Sequence, residues 1–217
     1  MFEPSSSPLQ SEDPRDWERL IESLGPASLI VAIEGRMSAE LLARTSADDI
    51  LQETLLHLWR DRGSIEWRGP KSFRSLVLSI ASNRIRDAAD VEGAQKRGGG
   101  SAPVSLDAST SGGSRPRHGG APASSTTPSR LAIRREQVAA MQRALLELPG
   151  ELRDVVRLRA FEQLPLEDIA QRLGLGVEAV RHRFRKGSAQ YARRLRALDS
   201  SSQRRESATQ GNAGSSP

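Results

Sequence analysis

Apolar residues recur every three or four positions through most of this chain, and no stretch alternates apolar and polar residues as a half-exposed strand would. The clearest example is "ADDILQETLLHLWRD", residues 47–61, in which five large side chains share one helical face: Ile50, Leu51, Leu55, Leu58 and Trp59. Ser46 can cap this helix, and Asp13 followed by Pro14 marks another helix start. A long helical segment, "KSFRSLVLSIASNRIRDAADVEGAQKR", follows from residue 71. The pattern predicts an all-α first domain over residues 14–97.

Four further helical stretches lie between residues 130 and 198. The last two, "PLEDIAQRLG" and "VEAVRHRFRKGSAQYARRLRAL", are short and long and are joined by "GLG", which is the layout of a helix-turn-helix. Gly174 suits the tight turn, and Gly176 is expected at the N-cap of the second helix. Val180 and Phe184 are four residues apart and should both face the core. The sequence therefore predicts a second all-α domain over residues 130–198.

Three segments lack any apolar period. Residues 98–129 are rich in Gly, Ser, Pro and Thr, so they bury too little apolar surface to offset the entropy of ordering. This composition predicts a flexible linker. Residues 1–13 and 199–217 are predicted to be disordered tails for the same reason.

Charge and composition narrow the function. The 217 residues carry a net charge of +5, which favours a nucleic-acid partner. The absence of cysteine fits a reducing cytoplasm, and three scattered histidines do not predict a metal site. The longest apolar run, "LIVAI" at residues 29–33, is too short to span a membrane. No nucleophile–base pair, P-loop or metal cluster is present, so we expect neither an enzyme nor a bound cofactor.

The second helix of the predicted helix-turn-helix carries a basic outer face. Arg181, His182, Arg185 and Lys186 should point away from the core, where arginine can bond guanine edges and lysine or histidine can reach phosphates. An alternative is that these charges form only a solvated helix face. The helix-turn-helix pattern "LEDIAQRLGLGVEAV", which ends directly before Arg181, favours binding to the major groove of duplex DNA.

The second domain resembles region 4 of the extracytoplasmic-function (ECF) sigma factors. The stretch "LLELPGELRDVVRLRAFEQLPLEDIAQRLGLGVEAVRHRFRKGSAQYARRL" carries the family pattern at twelve positions: Leu148, Pro149, Arg153, Val155, Asp168, Ile169, Ala170, Leu173, Gly174, Val180, Arg183 and Lys186. Response-regulator output domains have a similar helix-turn-helix, so this half alone leaves a stand-alone DNA-binding regulator open.

The first domain resembles region 2 of the same family. "SADDILQETLLHLWRD" matches its first signature at Asp49, Gln52, Glu53, Leu56 and Trp59. "WRGPKSFRSLVLSIASNRIRD" matches its second signature at seven positions: Gly69, Ser72, Phe73, Arg74, Ile80, Ala81 and Asn83. The two motifs occur in the family's order on either side of a linker, so the chain resembles an ECF sigma factor over most of residues 14–198.

The resemblance implies roles for particular residues. The first signature would dock on the β′ clamp of core RNA polymerase through Asp48, Asp49, Gln52, Glu53 and Leu56, and region 4 would contact the β flap. The alternative for these acids is the ordinary first turn of an amphipathic helix. The next helix would read the melted −10 element, with a flipped base near Asn83 and phosphates held by Arg84, Arg86, Lys96 and Arg97. Region 4 would read the −35 duplex through Arg181, His182, Arg185 and Lys186.

The same resemblance predicts a cytoplasmic initiation factor whose partners are core polymerase and promoter DNA, with an anti-sigma factor as a candidate third partner. About 30 flexible residues have a root-mean-square span of roughly 30 Å and a stretched reach of roughly 100 Å. That reach can join sites one to two helical turns apart on DNA. Trp67 is open to two interpretations, stacking on a base or packing in the core.

Overall fold

The structure is a computed structural model that describes residues 8–11, 13–96 and 128–212, with side chains described at 8–11, 13–90, 128–198 and 200. Every regular element in these ranges is helical, which confirms the predicted all-α class. The elements are α1 (Pro14–Ser23), α2 (Pro26–Glu34), α3 (Ala39–Leu42), α4 (Ala47–Asp61), α5 (Pro70–Lys96), α6 (Pro128–Leu146), α7 (Gly150–Val156), α8 (Leu166–Leu173) and α9 (Val177–Asn212). A 3₁₀ turn (Arg62–Ser64) follows α4, and a π-helical turn (Arg157–Phe161) follows α7.

Two helices, α1 and α4, begin at the residues that the sequence predicts. The Asp13 carboxylate accepts the backbone N–H of Arg15 at 2.9 Å, which caps α1. Ser46 caps α4: its Oγ accepts the N–H of Asp49 at 3.1 Å and donates to the Asp49 carboxylate at 2.7 Å. These side chains satisfy backbone donors that have no partner within the helix, so the local sequence fixes where each helix starts.

The helices form two compact units, the first built from α1, α3, α4 and α5. Its core holds an aromatic cluster in which the Trp17 ring lies 5.3 Å from Trp59 and 6.1 Å from Phe73, both edge to face. Arg74 follows Phe73 on α5 and is buried. Its Nη1 donates to the Leu24 carbonyl at 2.5 Å. This bond satisfies the carbonyl end of α1 and fixes α1 to α5.

The second unit contains α6 to α9 together with α2. The sequence places α2 in the first domain, whereas in the structure it packs against α6 and the π-helical turn. Seven of its nine residues are buried, so apolar contacts must surround this helix, but its composition does not indicate which unit supplies them. The core of the unit is a cluster of five buried residues from α7, the π-helical turn, α8 and α9: Val155, Leu158, Ile169, Ala170 and Val180.

Two features differ from the predicted tails. Leu9 is only 1% exposed, although the sequence predicts a disordered segment over residues 1–13, because an isolated leucine among Ser and Pro produces no periodicity. The helix α9 continues without a break past residue 198 to Asn212, where the sequence predicts a tail from residue 199. Arg97 and residues 98–127 of the predicted linker lie outside the described residues.

Candidate nucleic-acid interface

The second unit contains a helix-turn-helix formed by α8 and α9. Gly174 ends α8 in the left-handed conformation at φ 64°, as predicted, which a residue with a Cβ rarely adopts. Leu175 N–H then bonds the Ala170 carbonyl at 2.9 Å and closes the turn. The Gly176 carbonyl accepts the N–H of Val180 at 3.1 Å, so Gly176 stands at the N-cap of α9 as expected. Val180 is fully buried, and this places the opposite face of α9 in solvent.

The four predicted base- and phosphate-contacting residues all lie on that outer face. Arg181, His182, Arg185 and Lys186 are exposed, while Phe184 is half-buried against the core. Arg181 forms an ion pair with Glu178 one turn earlier, so the one acid of this turn is neutralised by its neighbour. A basic, exposed helix face beside a closed turn is the geometry that enters a major groove.

Sequence reasoning missed the ion pairs that hold the helix-turn-helix in place. Glu162 has only 2% of its side chain exposed, and it pairs with Arg157 at 2.5 Å and with Arg172 of α8 at 4.0 Å. Arg183 turns back toward α7, where its Nη2 lies 3.3 Å from the Glu151 carboxylate. Glu162 and Arg172 lie in different elements, as do Glu151 and Arg183, so no helical spacing could have indicated these two pairs.

The first unit brings the predicted polymerase-binding residues onto one face of α4. Asp49, Gln52 and Glu53 are exposed, and Asp48 and Leu56 are half-buried. Gln52 donates to the Asp48 carboxylate at 2.7 Å, which orders the amide along the helix. The face therefore presents three carboxylates and one amide beside a leucine, as the spacing i, i+1, i+4, i+5 and i+8 requires.

The predicted −10 residues on α5 have different surroundings. Asn83 is exposed, and its Oδ1 accepts a hydrogen bond from Arg86, which is also exposed. Arg84 instead turns toward α4 and forms an ion pair with Glu53 at 3.2 Å. Lys96 ends α5, but its side chain lies outside the described residues.

Two further residues shape this part of the first unit. Arg36, which sequence reasoning missed, donates from Nη1 to the Leu78 carbonyl at 2.9 Å and to the Ser82 hydroxyl at 2.5 Å. It thereby fixes the backbone of α5 next to Asn83. The Trp67 ring lies 5.9 Å from Phe73 and is half-buried, which favours packing over stacking on a base.

Neither a metal site nor a membrane span is found in the described part of the chain. Its His, Asp and Glu side chains form no group of three or more that could hold a metal ion. None of the described helices has the length and apolar character needed to cross a bilayer.

Comparison with known proteins gives two family matches. Residues 30–93 match sigma-70 region 2, and residues 139–190 match sigma-70 region 4. No curated protein matches the chain. Among solved structures, one described as CnrH in complex with the cytosolic domain of CnrY is 18% identical, covers 87% of this chain and 93% of its own, and has a TM-score of 0.32. The two family matches follow the order of regions predicted from the sequence and together cover more than half of the 217 residues, so the chain belongs to the sigma-70 family of transcription initiation factors.

Proposed function

We propose that this protein is an ECF sigma factor that binds core RNA polymerase and directs it to specific promoters. The observation that carries the proposal is the region 2 match on the same chain as the region 4 match. A stand-alone helix-turn-helix regulator needs only the region 4 helix-turn-helix and has no use for region 2. The segment between the two matches, residues 94–138, is too short for a further sizeable domain, which favours the minimal ECF arrangement over larger sigma factors.

The α4 face supports the polymerase-binding part of the proposal. Its carboxylates Asp48, Asp49 and Glu53 form an acidic surface complementary to a basic coiled coil, such as the β′ clamp. Gln52 adds an exposed amide that can donate and accept hydrogen bonds, and Leu56 offers a half-buried apolar contact. Region 4 would contact the β flap, which places both units on one polymerase.

The promoter-binding part rests on two exposed surfaces. Asn83 can pair with the Watson–Crick edge of a flipped −10 base, and Arg86 beside it can hold a phosphate. Lys96 and Arg97 would follow along the same strand. Arg84 can bind a phosphate of that strand only if its ion pair with Glu53 is broken. Arg181, His182, Arg185 and Lys186 would read the −35 duplex from the major groove.

The remaining partners follow from this role. RNA synthesis belongs to the polymerase, so the protein needs no catalytic residue or cofactor of its own. It would act in the cytoplasm, where the polymerase is, and an anti-sigma factor could hold it inactive. The residues between the units would tether two weak DNA contacts, which could then act together through effective concentration.

Reconstituted transcription tests the proposal. The protein is mixed with bacterial core polymerase and fragments of the source organism's genome, and specific run-off transcripts are expected. They should disappear with Gln52→Ala/Glu53→Ala. The matched control is Glu136→Ala/Gln137→Ala, which removes the same two side-chain types from an exposed part of α6 and should leave the transcripts unchanged. Duplex DNA binding without polymerase association at any salt concentration would leave the stand-alone regulator instead.

A further inference from the structure

We propose that the DNA-binding surface of α9 extends well past its recognition residues, to Arg193 and Arg196, and that these two arginines bind phosphates of the promoter duplex beside the −35 bases. We call them the distal arginine pair. The inference rests on the proposed function, and it assigns a sequence-independent contact to a part of the helix outside the predicted base-reading turns.

The inner face of α9 fixes its orientation along this whole length. After Val180, the next inward residue is Gly187, which is buried so closely that an added Cβ would lie 2.7 Å from Val156 Cγ2. Tyr191 follows, with its ring 5.8 Å from Phe161 and edge to face. Arg194 then bonds the Glu147 carboxylate at 3.3 Å. These contacts recur every three to seven residues, so α9 is held against the unit from its first turn to Arg194.

The opposite face of the helix is a continuous basic stripe. At 100° per residue, Arg193 and Arg196 lie on the same side as the predicted recognition residues Arg185 and Lys186, and all four are exposed. At a rise of 1.5 Å per residue, the distal pair lies about 18 and 22 Å along the helix axis from Arg181. Between Arg185 and Lys186 on one side and Arg193 and Arg196 on the other, this face carries the small residue Ala189.

The outward-facing charges of this stripe have no ion-pair partner among the residues whose side chains the structure describes. Residues 179–198 contain seven Arg and Lys residues and no Asp or Glu. Three of the seven are ion-paired: Arg181 with Glu178, Arg183 with Glu151 and Arg194 with Glu147. For the other four, the described residues offer no ion pair: Arg185, Lys186, Arg193 and Arg196. The inward-facing or early cations are thus neutralised, while the outward-facing ones remain available to an anion.

DNA is the anion whose shape fits this arrangement. The major groove is about 12 Å wide, so a helix whose first turn lies in the groove reaches the phosphate ridge before 18–22 Å of its length has passed. Long recognition helices do contact the backbone with their C-terminal parts. Phosphate contacts add affinity without reading sequence, and the guanidinium group suits bidentate bonding to a phosphate.

The test measures the salt dependence of promoter binding. The chain, bound to core polymerase, is titrated against a promoter duplex recovered from the transcription assay, between 50 and 200 mM salt. Arg193→Gln/Arg196→Gln should reduce the slope of log K against log salt by about 1.8, because each lost phosphate contact contributes about 0.9. Over that range the wild-type complex should lose about tenfold more affinity than the variant. The ranking of −35 sequence variants should not change.

The matched control is Arg135→Gln/Arg143→Gln, which removes two exposed arginines from α6 of the same unit and should leave the slope as in the wild type. Co-elution with core polymerase verifies that each variant is folded. An unchanged slope for the distal pair, with wild-type transcription intact, would overturn this inference and leave the sigma role standing. Failure of the wild-type chain to bind core polymerase would overturn the proposed function and this contact with it.

Discussion

Arg84 Nη1 lies 3.2 Å from Glu53 Oε2, and this ion pair joins the middle of α5 to the middle of α4. The two residues come from different predicted surfaces, because Glu53 is expected to bind polymerase and Arg84 to bind −10 DNA. The arginine side chain is 21% exposed and the glutamate 58%, so the carboxylate keeps access to solvent while the guanidinium is largely covered. In the free protein, the Arg84 guanidinium is therefore ion-paired with Glu53 and is not positioned to bind a phosphate.

The pair predicts that only one of its two members matters for polymerase binding. Glu53→Gln removes a carboxylate from the α4 face and should weaken binding to core polymerase roughly tenfold, the scale of one lost charged contact. Arg84→Gln keeps that carboxylate and frees it, so binding should stay within about twofold of the wild type. Competition for core polymerase against a labelled sigma factor measures both affinities.

Both variants should fold, since ion pairs with one exposed member contribute at most about 1 kcal/mol to stability. Equal losses of polymerase binding in the two variants would mean that the ion pair matters only for the packing of α5 on α4. It would also remove Glu53 from the proposed clamp-binding surface.

Arg153 shows what a family-pattern residue does in this fold. Its guanidinium donates to three carbonyls at the end of α6 and in the loop after it, those of Leu145 at 3.1 Å, Leu146 at 2.8 Å and Leu148 at 3.0 Å. Arg153→Lys cannot reproduce this fork and should cost about 2–3 kcal/mol of stability. Arg143→Lys on the exposed face of α6 should change it by less than about 0.5 kcal/mol. Hydrogen exchange of the amides of α6 and α7 reports the loss locally, and equal protection in both variants would contradict this role.

The helices and their starts were predictable because they depend on local sequence. Asp13, Ser46, Gly174 and Gly176 each act through backbone groups within a few residues, and their spacing is visible along the chain. The exposure of the basic face of α9 was also predictable, since it follows from the helical period once Val180 is assigned to the core.

The partners of the charged side chains were not predictable from the sequence. Arg84 finds Glu53 across 31 residues, and Arg36 finds Ser82 across 46. The membership of α2 in the second unit has the same cause, because a uniformly apolar helix shows that it is buried but not what covers it. A single sequence carries patterns along the chain, whereas these contacts depend on how the helices pack.

Gly187 gives a test of the close contact between α9 and α7. An added Cβ would lie 2.7 Å from Val156 Cγ2 and 3.3 Å from the Leu152 carbonyl oxygen, and both residues are buried. In an open helix, Gly→Ala gains about 1 kcal/mol from propensity. Here overpacking costs about 1–3 kcal/mol, so Gly187→Ala should destabilise the unit by about 1 kcal/mol net.

Thermal unfolding of Gly187→Ala measures this change in stability, and a decrease is expected. Gly150→Ala, at the first residue of α7 with nothing within 4 Å of the added Cβ, is the matched control and should stabilise the unit by up to about 1 kcal/mol. Stabilisation by Gly187→Ala would show that α9 and α7 are farther apart than in this structure.

Glu34 predicts a pH dependence for the packing of α2 on α6. Burial raises the pKa of Glu34 above its ordinary value of 4.5, and the hydrogen bond from Gln142 opposes part of that rise. A carboxyl group with a raised pKa in the folded protein stabilises it fully below pH 4.5 and loses that contribution as the pH rises through the folded value. Glu34→Gln should therefore match the wild type below pH 4.5 and exceed its stability at pH 7.

The companion variant acts in the opposite direction. Gln142→Ala removes the hydrogen bond that favours the charged carboxylate, so the pKa of Glu34 should rise further and the loss of stability toward pH 7 should become steeper. Thermal unfolding between pH 4 and 7 compares the three proteins. Parallel curves for all three would show that the Glu34 carboxylate stays solvated, and that α2 is not held against α6 as closely as in this structure.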